Sequence, residues 1–213
     1  MAIQPVSTKK SYFSLAKISL VIRFLALSDF FRWGSWGLLN PIFAIYIADN
    51  ISGNSLEIAG IAYGLFILTR SLFQIPVATI VDKIKGEKDD FWFLGAGSAL
   101  LMITPILLIF TQFAWQLYIV QIIYGFANAA IYPTKMAIFT RHIDKKHEGL
   151  EWGISQTLID FSLALAAFLG GFLVKSYGWD VLMIIRSVMY LIGTLAVFSI
   201  YNKMKKGKVL FAS

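Results

Sequence analysis

The stretch Ile58–Val81, IAGIAYGLFILTRSLFQIPVATIV, constrains this chain more than any other. It is about 24 residues of nearly unbroken apolar sequence, close to the length one helix needs to cross a bilayer. Arg70, near its midpoint, does not belong there. A guanidinium at that depth costs at least a few kcal/mol unless it faces a bundle interior, a wet cavity or a countercharge. On a helical wheel Tyr63, Arg70, Gln74 and Val77 share one face, and Gly60 and Gly64 form a GxxxG surface beside it. The cover for Arg70 therefore has to come from another helix.

Composition agrees that the solvent is lipid. Hydrophobic residues make up 58% of the chain and charged residues 15%, and mean hydropathy is +0.70. A soluble domain of 213 residues could not hide that much apolar surface. With no cysteine, disulfide staples, thiol chemistry and cysteine metal sites are excluded. The N-terminal lysines and apolar run imitate a signal peptide. Arg23 and Asp29 interrupt that run, and no small-residue cleavage site follows, so it is expected to be a retained first helix.

In chain order, residues 1–17 are expected to be a polar cytoplasmic arm and 18–202 a bundle of six transmembrane helices. The helices are expected at roughly 24–47, 58–81, 91–110, 115–140, 152–174 and 181–201. Residues 203–213 are then a basic cytoplasmic tail. Fourteen of the nineteen lysines and arginines fall on one side: Lys9, Lys10, Lys17 and Arg23; Lys83, Lys85 and Lys88; Arg141, Lys145 and Lys146; Lys203, Lys205, Lys206 and Lys208. The opposite side has only Lys175. Both termini are thus expected in the cytoplasm, with the protein in the plasma (inner) membrane. The formal charge of +7 is largely this topology signal, which speaks against nucleic acid as a partner.

Helix one carries WGSWGLLNP and helix four YGFANAAIYP. Gly64 and Arg70 on helix two have near counterparts at Gly153 and Asp160 on helix five. Residues 24–110 and 115–201 are therefore expected to form an inverted 3+3 repeat, as in secondary transporters whose sites lie near the midplane.

Polar stripes mark the candidate pathway. Helix four places Gln121, Asn128 and Lys135 seven residues apart on one face, and helix one aligns Asp29, Trp33, Trp36 and Asn40 with Arg32 at the margin. Helix five lines up Gly153, Gln156, Asp160, Ala164, Ala167 and Gly171. A substrate or coupling-ion pathway through Arg70, Gln74, Asn40, Gln121, Asn128, Lys135, Gln156 and Asp160 is expected. The plainer alternative is that the amides only glue helices together. Asp29 and Arg32 are expected to snorkel or pair locally near the cytoplasmic boundary, and Arg186 to be structural.

An enzyme is not expected. His142 and His147 lie in a loop beside lysines, no cluster has metal-ligand spacing, and neither a phosphate loop nor paired intramembrane carboxylates occur. No cofactor is expected.

The loop after helix two, ATIVDKIKGEK, the glycine-rich middle of helix four, and the run EGLEWGISQTLIDFSLALAAFLGGFLVKSYGW carry a resemblance. Over residues 20–202 the chain resembles one six-helix half of a major facilitator superfamily transporter. The family's helix two–three motif is matched at Asp82 and Lys83, with Ala78 for its leading glycine and Gly86 one position late. The helix-four arginine motif matches only at Gly125, because Gln121 takes the arginine position. The antiporter motif of helix five keeps Gly170 and Gly171 but loses its proline. Asp82, Lys83, Gly86 and Arg141 are accordingly expected to form a gating loop.

The resemblance implies a secondary transporter of a small solute that acts as a homodimer by alternating access, with helices one, two, four and five lining the cavity and three and six facing lipid. It also implies that Arg70 of one half meets Asp160 of the other. Net positive charge within the helices favours an anionic or zwitterionic solute. The alternatives are a non-transporting membrane subunit or scaffold of the same fold, or the N-terminal half of a longer transporter.

Overall fold

The structure, a computed structural model, describes residues 18–53, 56–83 and 88–205. The expected N-terminal arm, Gly86 and the end of the basic tail lie outside the described residues. Among the described residues every named element is a helix. Helix α1 is Leu20–Leu39, a 3-10 turn covers Asn40–Ile42, and α2 is Phe43–Asn50. Then follow α3, Leu56–Lys83, α4, Lys88–Ile109, α5, Ala114–His142, and α6, Glu148–Lys205.

Local chemistry explains the breaks. Pro41 has no N–H to give and falls in the 3-10 turn, so the apolar run expected as one helix is divided there. Within α6 one residue leaves helical geometry: Gly178, at φ 85° and ψ 174°, inside the SYGWD segment where the sequence calls for a turn. That positive φ suits a residue without a Cβ. It divides α6 into a first arm, 148–177, and a second arm, 179–205. Gln116 opens α5 by accepting the backbone N–H groups of Gln112 (2.8 Å) and Phe113 (3.0 Å). The backbone N–H of Ser52 reaches Gln112 O at 2.8 Å, tying the turn after α2 to the turn after α4.

Among the described residues, four helices are long and apolar enough to cross a membrane: Leu56–Lys83, Asp90–Ile109, Ala114–His142 and Glu148–Ser199. The protein is an integral membrane protein. Helix α1 has the length but carries Arg23, Asp29 and Arg32, and the last two are buried inside the bundle.

Helix α1 packs on α6, α3 on α5, and α4 on both α5 and α6. The closest approaches occur where side chains are missing. A Cβ on Gly170 would stand 2.2 Å from the Leu38 carbonyl oxygen, and one on Gly125 would stand 2.6 Å from that of Phe66. Lipid gives helices no hydrophobic reason to associate, so such close backbone packing has to supply the attraction. The glycines that the sequence singles out on α3 and on the first arm behave differently. Gly60, Gly64, Gly153 and Gly171 have nothing within 4 Å of the place a Cβ would occupy.

Apolar side chains fill two clusters. One gathers Ile22, Leu25, Phe91, Leu94, Ile138 and Phe139 toward the α1 N-terminus. The other gathers Leu39, Tyr46, Ile47, Leu117, Leu182 and Met183 at the opposite end. Between and beside them runs a polar seam.

Candidate functional site

The seam is built on α5. Seven residues are close to two helical turns, or about 10 Å of rise, so Gln121, Asn128 and Lys135 repeat on one face. All three are buried. The partners of Asn128 and Lys135 come from α1.

At one end lies a charged cluster. Asp29 is 2% exposed, Lys135 6% and Arg32 8%. Asp29 Oδ1 takes Arg32 Nη2 at 3.1 Å, with Nε at a looser 3.4 Å, while Lys135 Nζ meets Asp29 Oδ2 as an ion pair. Arg32 Nη1 also reaches Asn128 Oδ1 at 3.4 Å, and its guanidinium lies 4.8 Å from the Trp33 ring centre. Asn128 completes the link by donating to Tyr124 O at 2.9 Å. One carboxylate thus holds two cations, and the cluster keeps a net positive charge in low dielectric. Each member has an opposite charge within reach, the condition under which burial is tolerated.

Aromatic rings occupy the middle. Trp36 stacks on Tyr124 with centroids 5.4 Å apart, Phe66 closes on both, and the Tyr124 hydroxyl meets that of Tyr190 at 3.1 Å.

Beyond the rings a small pocket of about 30 Å³ opens, lined by Trp36, Asn40, Tyr63, Thr104, Leu108, Gln121, Tyr124 and Arg186 among others. Arg186 is 3% exposed. Its Nε donates to Ser35 O at 2.9 Å and its Nη1 to Met183 Sδ at 3.3 Å, and Ser35 Oγ donates to Arg186 O at 3.1 Å. No carboxylate pairs with it among the described residues.

The expected site residues therefore separate. Gln121, Asn128 and Lys135 are brought together along the seam, and Asn40 lies at the pocket. Asp29 and Arg32, expected to snorkel or pair locally, pair locally as their i, i+3 spacing allows, buried inside the bundle and together with Lys135. Arg186 is structural through Ser35 and also lines the pocket. Thr104, Leu108 and Arg186 show that α4 and the second arm contribute to this interior, where the resemblance implied that both face lipid. What could have exposed Arg186 in the sequence is the arginine itself, in an otherwise apolar run.

The remaining candidates lie outward. Arg70 is half-buried with its guanidinium 5.1 Å from the Tyr132 ring centre. Gln74 is half-buried. Gln156 and Asp160 are exposed and bond one another at 2.9 Å. Asp82 and Lys83 are exposed at the end of α3, whereas Arg141 pairs with the buried Asp90 of α4.

A model of the Major Facilitator Superfamily matches residues 25–212. An uncharacterized MFS-type transporter of Methanocaldococcus jannaschii is 29% identical over 176 residues, covering 82% of this chain and 42% of that protein. The uncharacterized transporter YybO of Bacillus subtilis is 22% identical over 162 residues, covering 76% and 36%. The chain thus spans about two fifths of the length of these relatives. Among solved structures, the POT family transporter PepTSo superposes with a TM-score of 0.68 at 16% identity, over 86% of this chain and 37% of that one. With the all-helical bundle, the buried polar seam and a family match over most of its length, this chain belongs to the Major Facilitator Superfamily.

Proposed function

We propose that this chain forms one six-helix half of a secondary transporter for a small solute, with a second copy supplying the other half. In this reading α1, the 3-10 turn and α2 make one span, and Gly178 separates the fifth span from the sixth. Residues 24–110 and 115–201 are then inverted repeats, and both termini face the cytoplasm. Rocking of the two halves about their contact would expose the seam to each side of the membrane in turn.

The observation that carries the reading is the contrast between glycines. Those at α1–α6 and α3–α5 contacts are filled within the chain, while Gly60, Gly64, Gly153 and Gly171 stand open on α3 and the first arm. Exposed beside them are Leu68, Leu72, Phe168 and Phe172. Small residues flanked by apolar ones favour a helix contact in lipid. Arg70 and Asp160 sit on these same two outer elements with opposite charge and no ion pair to each other within the chain. A twofold contact would bring each against its counterpart twice.

Solute flux and dimer fraction in liposomes containing only this chain test the proposal. Arg70→Asp and Asp160→Arg should each reduce both, and the double exchange should partly restore them. A double variant no better than either single one would remove the interface pair, and absence of flux with intact dimers would leave a scaffold of the same fold.

A further inference from the structure

The outer pocket holds two buried donors that no described residue saturates. A guanidinium offers five N–H groups. Those of Arg186 with an acceptor are Nε, on Ser35 O, and one of Nη1, on the weakly accepting Met183 sulfur, and Nη2 has none among the described residues. Gln121 is 8% exposed and its amide makes no hydrogen bond to another described residue. A buried cation without a counterion is costly, and an anion in the cavity it lines relieves that cost. Asp29 cannot serve, being held by Arg32 and Lys135. Asp180, on the same arm, is exposed and forms no ion pair with Arg186.

We propose that this pocket is the head-group subsite for a carboxylate-bearing solute, with Arg186 and Gln121 as its ligands. The planar fork of a guanidinium matches the two oxygens of a carboxylate. At about 30 Å³ the cavity is small, enough for the head of a solute and not for its body. The body has a way out, because Asn40 and Tyr63 are exposed at the pocket rim. The stacked Trp36 and Tyr124 rings offer it an apolar wall. This inference deepens the transport reading, from which it takes the idea of a solute, but its test is binding rather than flux.

The purified chain in phosphatidylcholine nanodiscs would be titrated calorimetrically with phenylacetate, its neutral analogue phenylacetamide, and chloride. Phenylacetate should bind at least tenfold more tightly than phenylacetamide, and Arg186→Gln should erase that preference. Gln121→Leu, which leaves the Arg186–Ser35 link in place, should weaken phenylacetate several-fold and decides the matter alone if Arg186→Gln does not fold. Equal binding of acid and amide, wild-type affinity in the variants, or no binding at all would overturn the subsite. Chloride binding as tightly as phenylacetate would make it an inorganic-anion site and overturn the carboxylate assignment. Binding without liposome flux would leave the subsite standing and remove the transport reading; flux without phenylacetate binding would do the reverse.

Discussion

The two ends of the seam treat buried charge in opposite ways. At Asp29, Arg32 and Lys135 every charged group has an opposite charge in contact, and Asn128 ties the arginine to the backbone of α5. At Arg186 the cation is buried as deeply but, among the described residues, meets only a carbonyl and a sulfur. The first arrangement is closed and holds α1 against α5. The second is open, with hydrogen-bonding capacity that no described residue takes up. Burial alone therefore does not mark a binding residue. What marks it is burial combined with unspent hydrogen-bonding capacity and an adjoining space.

The largest effect should come from breaking the closed end. Asp29→Asn removes the one carboxylate and leaves Arg32 and Lys135 buried side by side as like charges. Removing one partner from a buried ion pair costs about 3–5 kcal/mol. Thermal unfolding in detergent should show a large loss, with reduced folded yield on size-exclusion chromatography. Wild-type stability would mean that water or lipid already screens the cluster.

Lys135→Gln should cost less, about 1–2 kcal/mol, because Asp29 and Arg32 remain as a neutral pair and the amide keeps some hydrogen bonding. The same variant asks whether Lys135 has a second role. Loss of solute flux with only this modest loss of stability would place it on the transport path, whereas unchanged flux would leave it as a countercharge to Asp29.

That ambiguity shows how far the sequence was legible. The apolar helical runs followed from run length, though not the division at Pro41, and the α5 stripe followed from seven-residue spacing, because both depend on local periodicity. Which charge meets which depends on how helices approach, and the approach is set by Gly34, Gly37, Gly125 and Gly170 across pairs distant in sequence. The Asp29 contact with Lys135 is not legible locally because the two lie more than a hundred residues apart. Arg186 is structural as expected, through Ser35, but its place in a pocket is not legible locally, since Gln121 and Asn40 come to that pocket from other helices. The Gly178 break was the easier case, being written into the local SYGWD turn.

Arg186→Gln sharpens the comparison from the open end. It loses the bond to Ser35 O but also removes an uncompensated buried charge, and these oppose one another. Stability should change by less than about 1 kcal/mol, in either direction. A loss as large as that of Asp29→Asn would show that Arg186 is as closed as the inner cluster, held by a countercharge outside the described residues.

The smallest effect belongs to a solvated contact set in the short connection between α5 and α6. His147 Nδ1 lies 2.8 Å from Asp144 Oδ2 and the backbone N–H of Lys146 donates to Asp144 Oδ1 at 2.9 Å. Both contacts hold the Asp144 carboxyl below its ordinary value of 3.8, the His147 contact more strongly, with the Lys146 backbone next and its charge adding a little. Glu151 faces the same turn, accepting the Asp144 N–H at 3.2 Å. A depressed carboxylate contributes stability that is present above its unfolded pKa and is lost as pH falls through the lower folded one. The loop should therefore hold its order at neutral pH and loosen only below about pH 4. Because the pair is solvated, both its strength and its pH response should fade in high salt, unlike those of the buried cluster. His147→Ala should move the Asp144 titration, read by NMR, upward toward the ordinary value while leaving the melting temperature unchanged. A melting temperature that falls with His147→Ala as it does with Asp29→Asn would mean that the loop pair is part of the same closed network, and the distinction between solvated and buried charge would fail there.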